Sequence, residues 1–155
     1  MQLPTAIQEV LEFVLDDVHY GVPTIRVLEV APRVRITPLP AAPKHVRGVV
    51  AYRGLLAVAI DLRECLGHPT RAPRLDDQLI IAKTRSRVVA LIVDRADGLR
   101  LVDSQFIQST TLANRHVTGV VPMADGMLLL QDLDAVLSLD EEAAVDRALA
   151  APATG

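Results

Sequence analysis

The segment Val46-Arg47-Gly48-Val49-Val50 returns 71 positions later as Val117-Thr118-Gly119-Val120-Val121, and nothing else restricts the fold of this chain as much. The step Asp61-Leu62, with Leu66 beyond it, returns as Asp132-Leu133 with Leu137. Seven of the 21 positions from 46 to 66 are identical without a gap. Each copy reads as a strand, a tight turn, an apolar strand and an Asp-Leu step into a short helix. A unit written twice within the 155 residues of one ordinary domain implies two similar small barrels packed together, with function on their outer faces and in the cleft between them.

The remaining pattern supplies the other strands. Glu9–Leu15 alternates with Leu11, Phe13 and Leu15 on one face, Asp16-Asp17 make a turn, and Val18–Val22 return as the hairpin partner. Pro23 suits the first position of a helix, with Ile25 and Leu28 on one face and Pro32 as its stop. Val34 and Ile36 begin a further strand, which runs into Pro38, Pro40 and Pro43. Val46–Tyr52 and Leu55–Ile60 flank the turn Arg53-Gly54, and Leu62–Leu66 is one helical turn closed by Gly67.

The second half repeats the scheme. Leu79–Lys83 and Val88–Val93 pair, Gly98–Val102 is the next strand, and Ser104–Ile107 is a turn that drops Phe106 and Ile107 inward. Val117–Met123 and Met127–Gln131 form the repeated hairpin, Asp132–Leu137 is short and helical, and Asp140–Ala150 is a final helix with Asp140-Glu141-Glu142 at its positive end. About ten short strands at even spacing predict an all-β fold: two five-stranded SH3-like or OB-like β-barrels side by side, and a C-terminal helix. The single domain divides into a first barrel over about residues 9–75, a second over about 76–139, and the helix 140–150. The N-terminal strand is free to cross between them.

Composition excludes several function classes. The net charge is −3, so no excess of Lys and Arg is present to bind a phosphate backbone, and nucleic acid is not an expected partner. The first residues show no secretory signal, and no apolar run approaches the roughly 20 residues of a membrane span. A soluble, cytoplasmic protein without direct membrane insertion is therefore expected. Cys65 is the sole cysteine and reads as a core filler. His19, His45, His68 and His116 are scattered without metal-ligand spacing and read as lone surface histidines. Asp132 and Asp134 read as helix-start carboxylates and Asp76-Asp77 as part of a solvated loop. Ser109-Thr110-Thr111 lacks a base or an elbow glycine beside it. No catalytic residue, metal or cofactor is expected.

Two charged residues stand out. Arg53 sits at the tip of an otherwise apolar hairpin, where it serves either solubility or recognition. Glu29 is the single acid in Val27-Leu28-Glu29-Val30. A carboxylate in so apolar a stretch calls for a cationic partner, and the guanidinium fork of Arg53 suits bidentate pairing.

The ordered series Phe13-Val14-Leu15, Tyr20-Gly21-Val22, Val27-Leu28-Glu29-Val30, Val46-Arg47-Gly48-Val49 and Arg53-Gly54 resembles the CheW-like chemotaxis coupling proteins. Ile60-Asp61-Leu62-Arg63, Val88–Asp94 and Met127–Leu137 continue the likeness, which spans about residues 9–147. The resemblance implies two five-stranded barrels and a non-enzymatic adaptor. Its partners would be the regulatory domain of a CheA-like histidine kinase and the helical cytoplasmic tips of chemoreceptors, so the protein would work beside membrane receptor arrays. It implies partner-binding roles for Arg53, Gly54, Glu29, Val27 and Gly48, and for Ile80 on the strand lining a receptor groove. The turn reads Ala51-Tyr52-Arg53-Gly54 where the family favours Asn-Leu-Arg-Gly. Val58 stands where a proline is common and Ala90 where a glycine is. Swimming chemotaxis and pilus or other chemosensory signalling fit equally. The alternative is a barrel that binds a small ligand or single-stranded nucleic acid, which would need aromatic stacking residues on a basic face.

Overall fold

The computed structural model describes residues 6–108 and 116–150. Ten strands run in chain order: β1 (Ile7–Leu15), β2 (Val18–Pro23), β3 (Val27–Pro32), β4 (Val46–Tyr52), β5 (Leu55–Asp61), β6 (Gln78–Lys83), β7 (Val88–Val93), β8 (Arg95–Asp103), β9 (Val117–Met123) and β10 (Gly126–Gln131). The short helix α1 (Leu62–Leu66) follows β5, and α2 (Leu139–Ala150) closes the chain. Single 3-10 turns occupy Thr24–Arg26, Ser104–Phe106 and Leu133–Ala135. The all-β class and the two five-stranded sheets agree with the sequence.

The repeat extends well beyond its visible identities. β1, β4 and β5 begin 71 residues before β6, β9 and β10, so β1–β5 and β6–β10 are two copies of one five-strand unit. Each copy divides between the sheets. One sheet has the order β8-β1-β2-β10-β9 and the other β3-β6-β7-β5-β4. Strand membership therefore departs from the expected division into barrels at 9–75 and 76–139. Those bounds approximate the copies, whereas each sheet takes a leading hairpin from one copy and three strands from the other. The parallel pairs β10–β2 and β5–β7 stitch this exchange. A sequence repeat reveals the unit but not its partner, because matching face patterns let a hairpin of either copy complete either sheet.

The core lies in three layers. Leu11, Phe13, Leu15, Tyr20 and Val22 of one sheet meet Val58, Ile60, Ile80, Val89 and Leu91 of the other. A second cluster, with Val50, Ala57, Leu79 and Ile81, fills the curl of the β3–β7 sheet, and a third, with Val10, Val102, Val121 and Leu128, fills that of its counterpart. Burial of central strands on both faces explains why Val88–Val93 shows no polar alternation.

The sheets curl without closing into the expected continuous barrels. One pair of hydrogen bonds joins Thr37 and Val49 (2.9 and 2.8 Å), and an equivalent pair joins Gln108 and Val120 (both 2.9 Å). Pro38 and Pro40 lack the N–H groups that would extend the first ladder. At the Thr37 seam Gly48 has φ +146, and a Cβ there would stand 2.0 Å from the Thr37 carbonyl oxygen. A side chain would wedge this seam open.

Three local expectations need correction. The helix predicted after Pro23 is one 3-10 turn followed by strand β3, whose pairing with β6 overrides the helical spacing of Ile25 and Leu28. Both of those side chains are exposed. The strand expected from Val34 is reduced to the bridge at Thr37. Phe106 points outward at 59% exposure, while Ile107 packs on the core as expected.

Candidate functional site

Arg53 and Gly54 occupy a two-residue hairpin turn between β4 and β5 with φ of 45° and 78°. Both residues are left-handed, as the twist of a tight hairpin demands. Glycine meets that demand freely, but arginine lacks the short polar side chain that eases this conformation. At this turn the arginine's contribution is its guanidinium.

The Arg53 Nη2 donates to Glu29 Oε1 of β3 at 2.8 Å, through one hydrogen bond rather than the bidentate pair expected. This contact spans the two edge strands of the sheet, beside the Thr37–Val49 seam. The Arg53 side chain is 73% exposed and that of Glu29 36%, so Glu29 is not the deeply buried acid the sequence implied. The hydrogen bond that Arg53 donates to Glu29 is the main influence raising the Arg53 pKa. The guanidinium also lies 5.5 Å from the centroid of the Tyr52 ring. Apolar side chains of the same segments are also exposed, Leu28 and Val30 on β3 and Leu55 and Leu56 after the turn, although Val30 lies in register with Ile80 and Glu29 with Ile81, on opposite faces of the sheet. An exposed charged pair at a sheet edge, with exposed apolar groups on the same strands, suits a protein-binding surface.

The other expected site residues do not share that exposure. Val27 is half-buried against the inter-sheet core beside a bulge in the β3–β6 ladder. Gly48 is buried at the seam, and Ile80 is fully buried, with its neighbours Val30 and Leu91 in register. Ile80 offers no surface to a partner. It and Gly48 lie inside the sheet that carries Glu29.

The sequence reading missed a charged clamp on the far side of β5. Arg63 of α1 is buried and holds Asp16 of the β1–β2 turn through Nη1 (2.8 Å) and Nη2 (2.5 Å). It holds Asp94 through Nε (3.2 Å) and Nη2 (2.7 Å), and Nη1 also donates to the Pro69 carbonyl at 3.0 Å. All five guanidinium N–H groups are therefore used. Arg71 adds Asp77 (2.7 Å) and shares Asp94 (2.7 Å). The Arg63 hydrogen bonds lower the Asp16 carboxyl to about 2. Burial opposes ionisation of Asp94 and Asp77, but hydrogen bonds from the Asp16 N–H and Arg63, and from Arg71 and the Arg74 N–H, hold both below the ordinary range. Asp77 is thus a buried structural acid and not part of a solvated loop.

The histidines are also more engaged than a surface reading allowed. His45 and His116 are buried, and their carbonyls accept from Asp61 N (2.8 Å) and Asp132 N (2.7 Å) at matching points of the two copies. His68 Nε2 lies 2.6 Å from the Tyr20 hydroxyl, and burial pushes that phenol up to about 12. His19 Nδ1 contacts Glu12 at 2.6 Å, with Asp97 at 4.0 Å. The two carboxylates also engage Arg100 and Arg95 (2.6 and 2.8 Å), so this cluster is accounted for by ion pairing. The Cys65 side chain packs partly buried on the core, as expected of a filler. Ser109-Thr110-Thr111 lies outside the described residues. Phe13 and Tyr20 stack on each other at 5.5 Å inside the core, where no base reaches them, which disfavours a nucleic-acid-binding barrel. No helix among the described residues is long and apolar enough to cross a membrane.

Comparison with known proteins places this geometry. The chain is 29% identical over 144 residues to the chemotaxis protein CheW of Klebsiella aerogenes, covering 90% of this chain and 87% of that one. It is 30% identical to the CheW of Rhizobium meliloti, covering 88% and 92%. FrzA of Myxococcus xanthus is 34% identical over 120 residues, 74% of each chain. The crystal structure of the scaffolding protein TtCheW from Thermoanaerobacter tengcongensis matches with a TM-score of 0.80 at 26% identity, covering 88% of this chain and 96% of that one. The CheW-like domain family matches residues 9–141. The chain therefore belongs to the CheW-like domain family.

Proposed function

We propose that this protein is a chemosensory adaptor without catalytic activity, joining the helical cytoplasmic tips of chemoreceptors to the regulatory domain of a CheA-like histidine kinase. The observation that carries the reading is the exposed Arg53–Glu29 pair bridging edge strands whose Leu28, Val30, Leu55 and Leu56 are also exposed. The relatives named for chemotaxis and scaffolding support the same reading. In it, the left-handed Arg53-Gly54 turn presents a guanidinium to an acidic group of the kinase domain. Val27, Gly48 and Ile80 hold the sheet behind that surface in shape.

A second apolar face suits the receptor. Leu99 and Leu101 on edge strand β8 are 66% and 70% exposed, and Ile7 of β1 is 59% exposed. All three project from the same side of their sheet, since Leu99 lies opposite the buried Leu11 and Ile7 opposite Asp103. A helical hairpin laid against this row is the expected docking mode. The adaptor would work in the cytoplasm beside receptor arrays, in swimming chemotaxis or a related chemosensory pathway.

The test is co-sedimentation of the purified protein with a receptor tip hairpin, with the kinase regulatory domain, and with both. Binding to each alone, and a ternary complex, are expected. Failure to bind the kinase domain would overturn the reading, whatever the receptor result.

A further inference from the structure

Tyr52 ends β4, directly before the Arg53-Gly54 turn. Its half-buried side chain packs on the cluster of Val50, Ala57, Leu79 and Ile81 that fills the curl of the β3–β7 sheet. Glu29 lies opposite Ile81 in register, so its side chain leaves β3 on that same face. Arg53 reaches both. Its Cζ stands 5.5 Å from the Tyr52 ring centroid, within cation–π range, and its Nη2 donates to Glu29 Oε1 at 2.8 Å. The guanidinium is thus held at two points across the gap between the edge strands β3 and β4.

The two holds do different things. A hydrogen bond through Nη2 fixes one point and leaves the guanidinium plane free to swing about it. A ring that core packing keeps in place removes that freedom. Leucine at position 52 would keep apolar packing but offer no negative ring face. Among the described residues Glu29 is the one carboxylate paired with Arg53, and it takes one of the five guanidinium N–H groups. The Arg53 side chain is 73% exposed, so most of the other N–H groups are open to an acid from outside. A carboxylate is planar and can meet two parallel N–H groups at once.

We propose that Tyr52 is a positioning residue. Its ring orients the Arg53 guanidinium so that N–H groups not used by Glu29 take an aspartate or glutamate carboxylate of the kinase domain. The partner's identity rests on the adaptor reading, whereas the orientation is a property of the free protein. Orientation before contact lowers the ordering cost of binding. The ring should therefore register in affinity without itself touching the partner.

Full-length wild type, Tyr52→Leu and Tyr52→Phe test the proposal. In the free proteins, NMR should find the Arg53 side-chain protons shifted upfield by the ring current in wild type and Tyr52→Phe, and at ordinary positions in Tyr52→Leu. In calorimetric titrations with the kinase regulatory domain, Tyr52→Leu should bind about two- to fivefold more weakly than wild type. Tyr52→Phe keeps the ring and should stay within about 1.5-fold of wild type. Equal Arg53 shifts in wild type and Tyr52→Leu overturn the positioning role, as does unchanged affinity in Tyr52→Leu. An equal loss in Tyr52→Phe also overturns it, since the ring would then not be the agent. If wild type fails to bind the kinase domain, the adaptor reading falls and takes the carboxylate partner with it. The Arg53 shifts of the free proteins still decide whether the ring orients the guanidinium.

Discussion

The two copies of the repeated unit share a backbone and differ in what they place on it. Both cap the turn after their last strand with an aspartate, Asp61 or Asp132, which accepts from the N–H two residues on at 3.0 Å. Both then send that second residue across to the other sheet. In the first copy it is Arg63, which holds Asp16 of the β1–β2 turn and Asp94 after β7. In the second it is Asp134, which holds Arg26 after β2 (2.8 Å) and the Arg85 N–H of the β6–β7 turn (2.7 Å). The clamp is the same and its charges are inverted. The hairpin turns also differ. Arg53 and Gly54 are both left-handed, whereas in the second copy the positive φ falls on Gly126 and the turn carries Ala124-Asp125. Duplication therefore fixes the scaffold, and individuality resides in a few side chains at equivalent points.

The seam glycines give the largest expected contrast. Gly48→Ala drives a Cβ into a backbone carbonyl at an already positive φ. It should cost about 3 kcal/mol or more in urea unfolding. At Gly119 the nearest obstacle is the Ile107 Cγ2 at 2.6 Å, a side-chain end that can rotate. Gly119→Ala should cost about 1 kcal/mol. Equal losses would show that the two seams are not used differently.

The clamps should rank next. Arg63→Ala leaves Asp94 with only Arg71 and the Asp16 N–H and undoes the guanidinium link to Asp16, for an expected loss of about 2 kcal/mol, discounted because Asp16 faces solvent. Asp134→Ala should lose about 1 kcal/mol, because Arg26 and Arg85 are more exposed than Arg63. Thermal and urea unfolding of the two variants decide the order. A larger loss at Asp134 would reverse the assignment of the tighter clamp.

Acid unfolding sharpens the same comparison. Asp16 titrates at about 2, and Asp94, Asp77 and Asp134 lie below their ordinary values. Depressed folded-state values mean that this stability is complete above the ordinary carboxylate range. It is lost as pH falls from about 4 to about 2. Arg63→Ala should flatten that slope more than Asp134→Ala does. An unchanged slope in Arg63→Ala would remove the clamp from the account.

Much of this was legible in the sequence for identifiable reasons. Alternation in Glu9–Leu15, the unbroken apolar run Val88–Val93 and the hairpin signal at Arg53-Gly54 each follow from local physics, and the repeat announced the duplicated unit. The exchange of hairpins between sheets was not legible, since pairing partners are chosen by tertiary fit between equivalent faces. Val27–Pro32 misled because Ile25 and Leu28 fall at helical spacing, while the ladder with β6 fixes the segment as strand. Arg63 went unnoticed although the repeat aligns it with Asp134. Opposite charges at equivalent positions were the available signal that the two copies reach for different partners.

On the function proposed here, the Arg53–Glu29 surface recruits partners and does not hold the fold together. Arg53→Glu, tested in reconstituted receptor–kinase arrays, addresses it most directly. The variant is expected to keep the wild-type denaturation midpoint while losing most of the receptor-dependent kinase activation. Full activation by a folded Arg53→Glu protein would contradict the account.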